Sequence, residues 1–314
     1  MSTTSTAPPC LLPAPDKPPA RRGLADPLFN AATVLVIGVA LAAVIYPLYF
    51  ILIASVSDPD RVYEGSVWLW PSGITLDGYA RILSDPTVWR GLANSAFYTA
   101  LGTAVSVTLV LTGGYALSRR DLPGRRLILA LIVLTLFFDG GIIPRYLVVR
   151  ELGLLDTVWA IVLPNAVAVW NLVIARVYFE SNIPDSLREA AALDGASDLR
   201  FFFKIVLPLA KPLIAIMVMI HVVWNWNAFF EALIYLTDES KYPLQLVLRN
   251  ILVQNEVTAS GHLVGDLSSY AEQQRTAGLI KYSMIVFAAA PLLALFPFLQ
   301  KYFVKGLTLG AVKS

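Results

Sequence analysis

Cysteine is almost missing from this chain. The one residue, Cys10, sits in a proline-rich leader, so an internal disulfide, a CxxC redox pair and a cysteine-based zinc site are all excluded. Histidine is nearly as scarce: His221 and His262 leave little scope for a histidine metal centre. Charged residues make up 15% of the sequence, against about 25% in an ordinary soluble domain. The 24 basic and 22 acidic residues give a net charge of +2, without the clustered cation that nucleic-acid binding requires. None of the eight lysines follows a glycine, so the phosphate-binding GxxxxGK[ST] loop is absent and any ATP used must be hydrolysed on another chain. There is no HExxH and no serine with a plausible histidine partner for an intramembrane hydrolase. Two related halves, the usual mark of an ion-coupled secondary transporter, are not visible either.

What the chain does have is apolar length. Of 314 residues 57% are hydrophobic, and the mean hydropathy of +0.65 points to membrane lipid as the main solvent. Uncharged runs cover Leu28 to Val56, Gly91 to Ser118, Thr157 to Ala175, Pro212 to Phe230 and Tyr282 to Gln300. Each is long enough to cross ~30 Å of hydrocarbon at about 1.5 Å per residue. A sixth run starts at Leu127 and stays apolar through Phe138 before meeting Asp139, Gly140, Gly141 and Pro144. The expected fold is an all-α membrane protein with six transmembrane helices. The third should end in an irregular segment packed in protein or facing water, because irregular backbone is too costly in lipid.

Basic residues set the expected orientation. With the N-terminus inside, the Met1 to Asn30 tail, the Arg119 to Arg126 loop, the Glu180 to Lys211 segment and the Lys301 to Ser314 tail hold 14 basic residues; the external segments hold 8. Both termini are therefore expected in the cytoplasm of a multi-pass membrane protein. Residues 1–27, with six prolines between Pro8 and Pro19, read as a disordered cytoplasmic tail and not as a cleaved signal peptide. Residues 28–300 read as the membrane domain, with a cytoplasmic loop at 180–211, and residues 301–314 as a second cytoplasmic tail.

That loop carries the most specific motif. Ile183-Pro184-Asp185-Ser186-Leu187-Arg188-Glu189-Ala190-Ala191-Ala192-Leu193-Asp194-Gly195-Ala196-Ser197 reads as helix then turn, and a second helix runs on through Ile205-Val206-Leu207-Pro208. Pro184 suits a first turn, Gly195 a left-handed stop and Ser197 an N-cap. Leu187, Ala190 and Ala191 share a face whose small side chains would let a partner approach. The bland reading is an amphipathic interfacial hairpin.

The spacing of Glu189, Gly195, Ile205 and Pro208 resembles the EAA loop of binding-protein-dependent ABC import permeases. Within that family the chain is similar to the carbohydrate-uptake, maltose-type subgroup. The supporting segments are Gly140-Gly141-Ile142-Ile143-Pro144, Asn225-Trp226-Asn227 with Ala232 to Leu236, Tyr242-Pro243-Leu244-Gln245-Leu246 and Gly310-Ala311-Val312-Lys313. Asp139, where a small neutral residue is expected, and the terminal Ser314 depart from the pattern. The resemblance implies a type I ABC importer permease fold and a transport subunit without catalytic residues, cofactor or metal. Its implied partners are a second permease subunit of a different kind, an ABC ATPase dimer and an extracytoplasmic sugar-binding protein. It implies ATPase coupling through Glu189, Ala190, Ala191, Asp194, Gly195, Leu207 and Pro208, and a tail contact through Gly306, Gly310 and Lys313. A non-sugar solute carried by the same machinery is the alternative.

For cargo, the fifth run is the candidate. His221 lies nine residues past Pro212, roughly 13 to 14 Å along a helix and near mid-membrane. At about 100° per residue, Trp224, Asn225 and Glu231 all fall within about 80° of it, whereas Trp226 turns away. Two readings stand: a sugar path, or hydrogen-bonding and packing between helices. Asp139 is likewise either a pathway carboxylate or a group facing external water.

The charge asymmetry yields a direct test. In a Cys10→Ser background, Ser118→Cys and Ser240→Cys should be labelled from opposite sides of the membrane; labelling from one side would overturn the six-span topology.

Overall fold

A computed structural model describes residues 25–138, 140–261, 277–278 and 280–297. The expectations placed on Cys10, Asp139, His262, Gly306, Gly310 and Lys313 lie outside the described residues. The chain divides into two compact units, Met1–Phe50 and Ile51–Ser314. In the first, α1 (Ala25–Ala54) begins; it is apolar on every face and carries Pro47 within it.

The second unit is helical, with no strand among the described residues. Short helices α2 (Pro59–Tyr63) and α3 (Asp77–Ser84) precede α4 (Pro86–Ser118), the 33-residue axis of the unit. Pro86 opens α4, and the Asp85 side chain accepts from Thr87 N. Then come α5 (Arg125–Leu134), α6 (Ile142–Glu151), α7 (Val158–Val162) and α8 (Val169–Asn182). The loop at 180–211 forms α9 (Asp185–Leu193), α10 (Asp198–Phe201), a π-helical turn over Phe202–Val206 and α11 (Leu207–Leu209). The series closes with α12 (Lys211–Asn227), α13 (Phe230–Tyr235), α14 (Leu244–Gly261) and α15 (Ile280–Pro297).

Three helices, Phe29–Ala54, α4 and α15, are continuous and apolar enough to span a membrane. The other expected spans are broken, and the sequence says why. The third run stops at Leu134 and resumes at Ile142 after the Gly140-Gly141 pair. The Thr157 to Ala175 run is not one helix: α7 ends at Val162, just before Pro164, which lacks a backbone donor. The segment Asp198–Leu209 meets α12 at a 79° bend at Ala210. Also corrected is the end of the fifth run. Its helix stops at Asn227, where the Asn225 and Asn227 side chains donate back to the carbonyls of His221 and Val223, both at 2.8 Å, and compete with the backbone.

Packing is organised around α4. A Cβ added to Gly114 would stand 2.7 Å from Ala175 Cβ and 3.1 Å from Arg176 N, so α4 and α8 touch backbone to backbone. One core joins Val107, Val110 and Leu111 of α4 to Ala175 and Phe179 of α8, Ala191 of α9, Phe201, Phe202 and Val206, and Leu213 and Met217 of α12. A second core packs Trp226 with Leu244, Val247 and Leu248 of α14 and with Ile280 and Met284 of α15.

At the other end of α4 the loops are clamped by polar contacts. Asp156 has φ 58°, and its Oδ1 accepts from Thr237 N and Asp238 N at 3.1 Å each. Its Oδ2 takes Lys241 Nζ at 2.5 Å, and that ammonium also donates to the Asp156 carbonyl at 2.9 Å. From α4, Tyr98 Oη donates to Lys241 O, Asn94 Nδ2 donates to Ser240 O and Tyr242 O, and Ser95 Oγ accepts from Leu244 N.

The Lys241 ammonium and the two amides hold the Asp156 carboxyl at about 2, down from 3.8. A lowered carboxylate value means that the clamp contributes fully above about pH 4 and is lost as pH falls toward 2. Hydrogen exchange at the Thr237 and Asp238 amides of the reconstituted protein should show protection fading in that window, and Asp156→Asn should abolish the pH dependence. Protection that stays level down to pH 2 would contradict the assignment.

Candidate functional site

Two places concentrate the candidate residues. The first is the hairpin from α9 to α11. Gly195, at φ 75°, closes α9 in a Schellman arrangement: Ala196 N donates to Ala191 O at 2.9 Å and Gly195 N to Ala192 O at 3.0 Å. Ser197 Oγ then accepts from Arg200 N and starts α10. Leu187 and Ala191 face the first core together with Ile183, Ala196 and Leu207, so two of the three residues on the face expected to meet a partner turn to the chain's own interior, and Ala190 is exposed. The outward side holds Glu189, Ala190, Asp194, Gly195 and Pro208, all exposed. It also holds apolar side chains that the sequence reading passed over: Leu193 is 90% exposed and Leu199 72%.

Charge fastens the hairpin to the α4–α5 loop. Arg119 makes a two-pronged contact with Asp121 (3.0 and 2.6 Å) and reaches Asp198 at 2.8 Å. Arg188 also meets Asp121, at 3.2 Å. Glu180 is shared by Arg125 and Arg176. The two carboxylates raise the Arg119 pKa above its ordinary value, and the guanidinium hydrogen bond lowers that of Asp121 to about 2, so both stay ionised at any physiological pH. Arg119, Asp121, Arg125, Glu180 and Arg188 line a cavity of about 510 Å³.

The second place is a cavity of about 530 Å³ where the two broken spans meet α12. His221, 3% exposed, lies 3.3 Å from Asn171 Nδ2 through its Nε2. Trp224 forms part of the rim and is 61% exposed. Asn225 lies elsewhere. Its amide donates to His221 O and approaches Thr103 Oγ1 at 3.5 Å, and its Oδ1 fills the space that a Cβ on Gly102 would need, at 2.8 Å. Glu231 borders an adjoining hollow of about 610 Å³ that Trp224 also lines, and its Oε1 accepts from Asn165 Nδ2 at 2.6 Å. Because α12 ends at Asn227, the 100° projection that placed Glu231 beside His221 does not extend to it. Trp226 is buried in the second core, and its Nε1 donates to Ala288 O.

Arg145, Asn165 and Asn171 line the same cavity, and sequence reading did not single them out. Their signal was present in the Gly140 to Pro144 break and in Pro164, since interrupted membrane helices place backbone and polar side chains around a cavity.

A family model described as "Binding-protein-dependent transport system inner membrane component" matches residues 20–309. Protein LplC of Bacillus subtilis (strain 168) is 40% identical over 286 residues, covering 91% of this chain and 95% of its own. The polygalacturonan/rhamnogalacturonan transport system permease protein YtcP of the same organism is 42% identical over 270 residues, covering 86% and 92%. A chain in the crystal structure of a bacterial ABC transporter involved in the import of the acidic polysaccharide alginate superposes with a TM-score of 0.78 at 33% identity, over 90% of this chain and 98% of that one.

The Arg119 contacts generate a prediction. The Arg119–Asp198 pair is the one that ties Arg119 to the hairpin, and an exposed pair of this kind contributes up to about 1 kcal/mol, so Arg119→Ala should raise the rate of proteolysis within residues 185–200 by up to about fivefold in the reconstituted protein, and Arg119→Lys should recover part of the protection. Equal cleavage rates in all three proteins would show that the hairpin is held by its core alone.

Proposed function

Since this chain belongs to the family of inner membrane components of binding-protein-dependent transport systems, we propose that it is the permease subunit through which an ATP-driven importer moves a sugar or oligosaccharide. It is a transport subunit and not itself an enzyme. Its membrane-spanning helices belong to the inner membrane, and the basic-residue asymmetry supports placing both termini in the cytoplasm. The printed roles of the relatives, polygalacturonan/rhamnogalacturonan transport and alginate import, support a carbohydrate cargo.

The observation that carries the mechanism is the shared core of hairpin and membrane helices. An ATPase subunit that grips the outward stripe of Glu189, Leu193 and Asp194 and moves on closing ATP would move α4, α8 and α12 with it, because close-packed interiors transmit displacement rather than absorb it. Gly195 shapes the turn, Ala191 and Leu207 anchor the hairpin inward, and Ala190 and Pro208 remain at the surface for contact. The cavity holding His221 and Trp224 borders α12, so the same motion opens and closes a path for cargo. Nucleotide, cargo and an extracytoplasmic binding protein would then bias one equilibrium. A second, different permease subunit completes the path in this reading, with Asn225 and Glu231 positioning its wall. The tail containing Gly306, Gly310 and Lys313 is proposed to reach the ATPase dimer.

Glu189→Ala and Leu193→Asp should each weaken co-purification of the ATPase by tenfold or more, the scale of an interface hot spot. Gly195→Leu should do the same through the strained turn, since no neighbouring atom blocks a Cβ there. Membrane insertion should be unchanged in all three. Wild-type ATPase association and uptake in these variants would refute the coupling assignment.

A further inference from the structure

The connection between α2 and α3 lies outside both candidate places. No charged residue occurs between Glu64 and Asp77. Val67 is 2% exposed, and the chain then presents Trp68, Leu69 and Trp70, followed by Ile74 and Leu76. The two indoles are 70% and 78% exposed, and the other three side chains more than half exposed. Two tryptophan side chains alone carry about 300–500 Å² of surface, and a water-facing loop rarely shows that much apolar area. On either side of the loop the exposed residues are charged, with Arg61 and Glu64 before it and Asp77 and Arg81 after.

This loop is stapled to the end of a membrane-spanning helix. Asp58 N donates to Ser72 O and Thr75 N to Val56 O, both at 3.0 Å, and Ser72 N donates to Ser57 Oγ at 3.3 Å. Gly73, at φ 66°, lies so close that an added Cβ would stand 2.9 Å from Asp58 Cβ. A second helix sets the level of the junction. Ser283, in the first turn of α15, donates from Oγ to Ser55 O at 3.2 Å, and Tyr79 Oη of α3 donates to Ser55 Oγ at 2.7 Å. Ser55 is one residue past the end of the Phe29–Ala54 span, so one span ends where the other begins. Two spans that share an end level mark the edge of the hydrocarbon.

From this placement we infer that the loop carrying Trp68, Leu69 and Trp70 is a docking surface for the bilayer itself, seated in the lipid–water interface at the end of α1. Indole suits that zone, because its ring packs against acyl chain while its N–H reaches the headgroups. Exposed Leu52, in the last turn of α1, continues the lipid-facing surface of the span toward the loop. The uncharged stretch lies at the hydrocarbon edge and its charged flanks stand toward water, which is the polarity order of the interface. A face built for a protein partner would need no such registry with the ends of two spans. The consequence is a fixed depth. Lipid holds the loop from one side and the Val56 to Thr75 and Asp58 to Ser72 hydrogen bonds hold it from the other, so the end of α1 keeps its level while other helices move.

The test places nitroxides at Leu69→Cys, Ile74→Cys and Glu64→Cys, each in a Cys10→Ser background, in the assembled complex in lipid nanodiscs with the other chains freed of cysteine. Collision with oxygen, which concentrates in lipid, and with a water-soluble nickel chelate reports the surroundings of each label. The oxygen-to-nickel ratio at positions 69 and 74 should be several-fold that at 64, and adding an extracytoplasmic binding protein should leave it unchanged. A ratio at 69 and 74 equal to that at 64 places the loop in water, and loss of both kinds of collision places it under another protein chain. Either result overturns the inference, as does a ratio that falls when binding protein is added. Because each label replaces part of the patch, Trp68→Phe with Trp70→Phe supplies an independent reading that preserves apolar rings. The tryptophan emission lost in this double variant should be the emission that lipids brominated near the headgroup end of the acyl chain quench. If those lipids leave it unquenched, the placement is wrong.

Discussion

One packing constraint underlies the rest of the structure: the hairpin from α9 to α11 has no core of its own. Ala191, Phe201, Phe202 and Val206 are buried against Val110 of α4, Phe179 of α8 and Met217 of α12, so the hairpin and three membrane helices share a single interior. A displacement of the hairpin that left those helices behind would open cavities at several large side chains, at about 2–5 kcal/mol for each one uncovered. Moving the helices together costs less. The 79° bend at Ala210 is where the hairpin's direction turns into that of α12, so a push along one axis emerges along another.

Around that interior the two ends of α4 are finished differently. The end carrying Arg119 is tied by ion pairs whose partners remain partly exposed, with Asp198 at 67% and Asp121 at 45%. Such ties are screened and can be remade at modest cost. The end carrying Asn94 and Tyr98 is tied by hydrogen bonds to backbone carbonyls of 240–242, which fix loop geometry more strictly. A rigid cap at one end and an adjustable latch at the other suit a helix whose two ends are held with different strictness.

Much of the fold was legible in the sequence, because long apolar runs and the Glu189, Gly195, Pro208 spacing are local signals. Gly195 adopts the left-handed turn and Ser197 caps the next helix as their chemistry predicts. The breaks were harder. An uncharged run looks the same whether its helix is continuous or stops before Pro164, since composition records burial in lipid and not hydrogen-bond continuity. The facing of Leu187 and Ala191 was missed for a related reason: periodicity shows that an apolar face exists and is silent about whether its partner is the same chain. Arg145, Asn165 and Asn171 sit 50 to 80 residues from His221 in sequence, so only the folded chain brings them to one cavity.

The clamp at Asp156 limits what substitution can do there. The position needs a backbone that tolerates φ 58°, an acceptor short enough to reach two amides from its own main chain, and a full negative charge for Lys241. Glycine satisfies the first requirement and loses the others. Asparagine keeps the dihedral and an acceptor but not the charge. Glutamate keeps the charge, yet its longer stem no longer matches the loop and its backbone resists the left-handed region. No other natural side chain meets all three demands, so this turn is tolerant of almost no change although the Asp156 side chain is only half-buried.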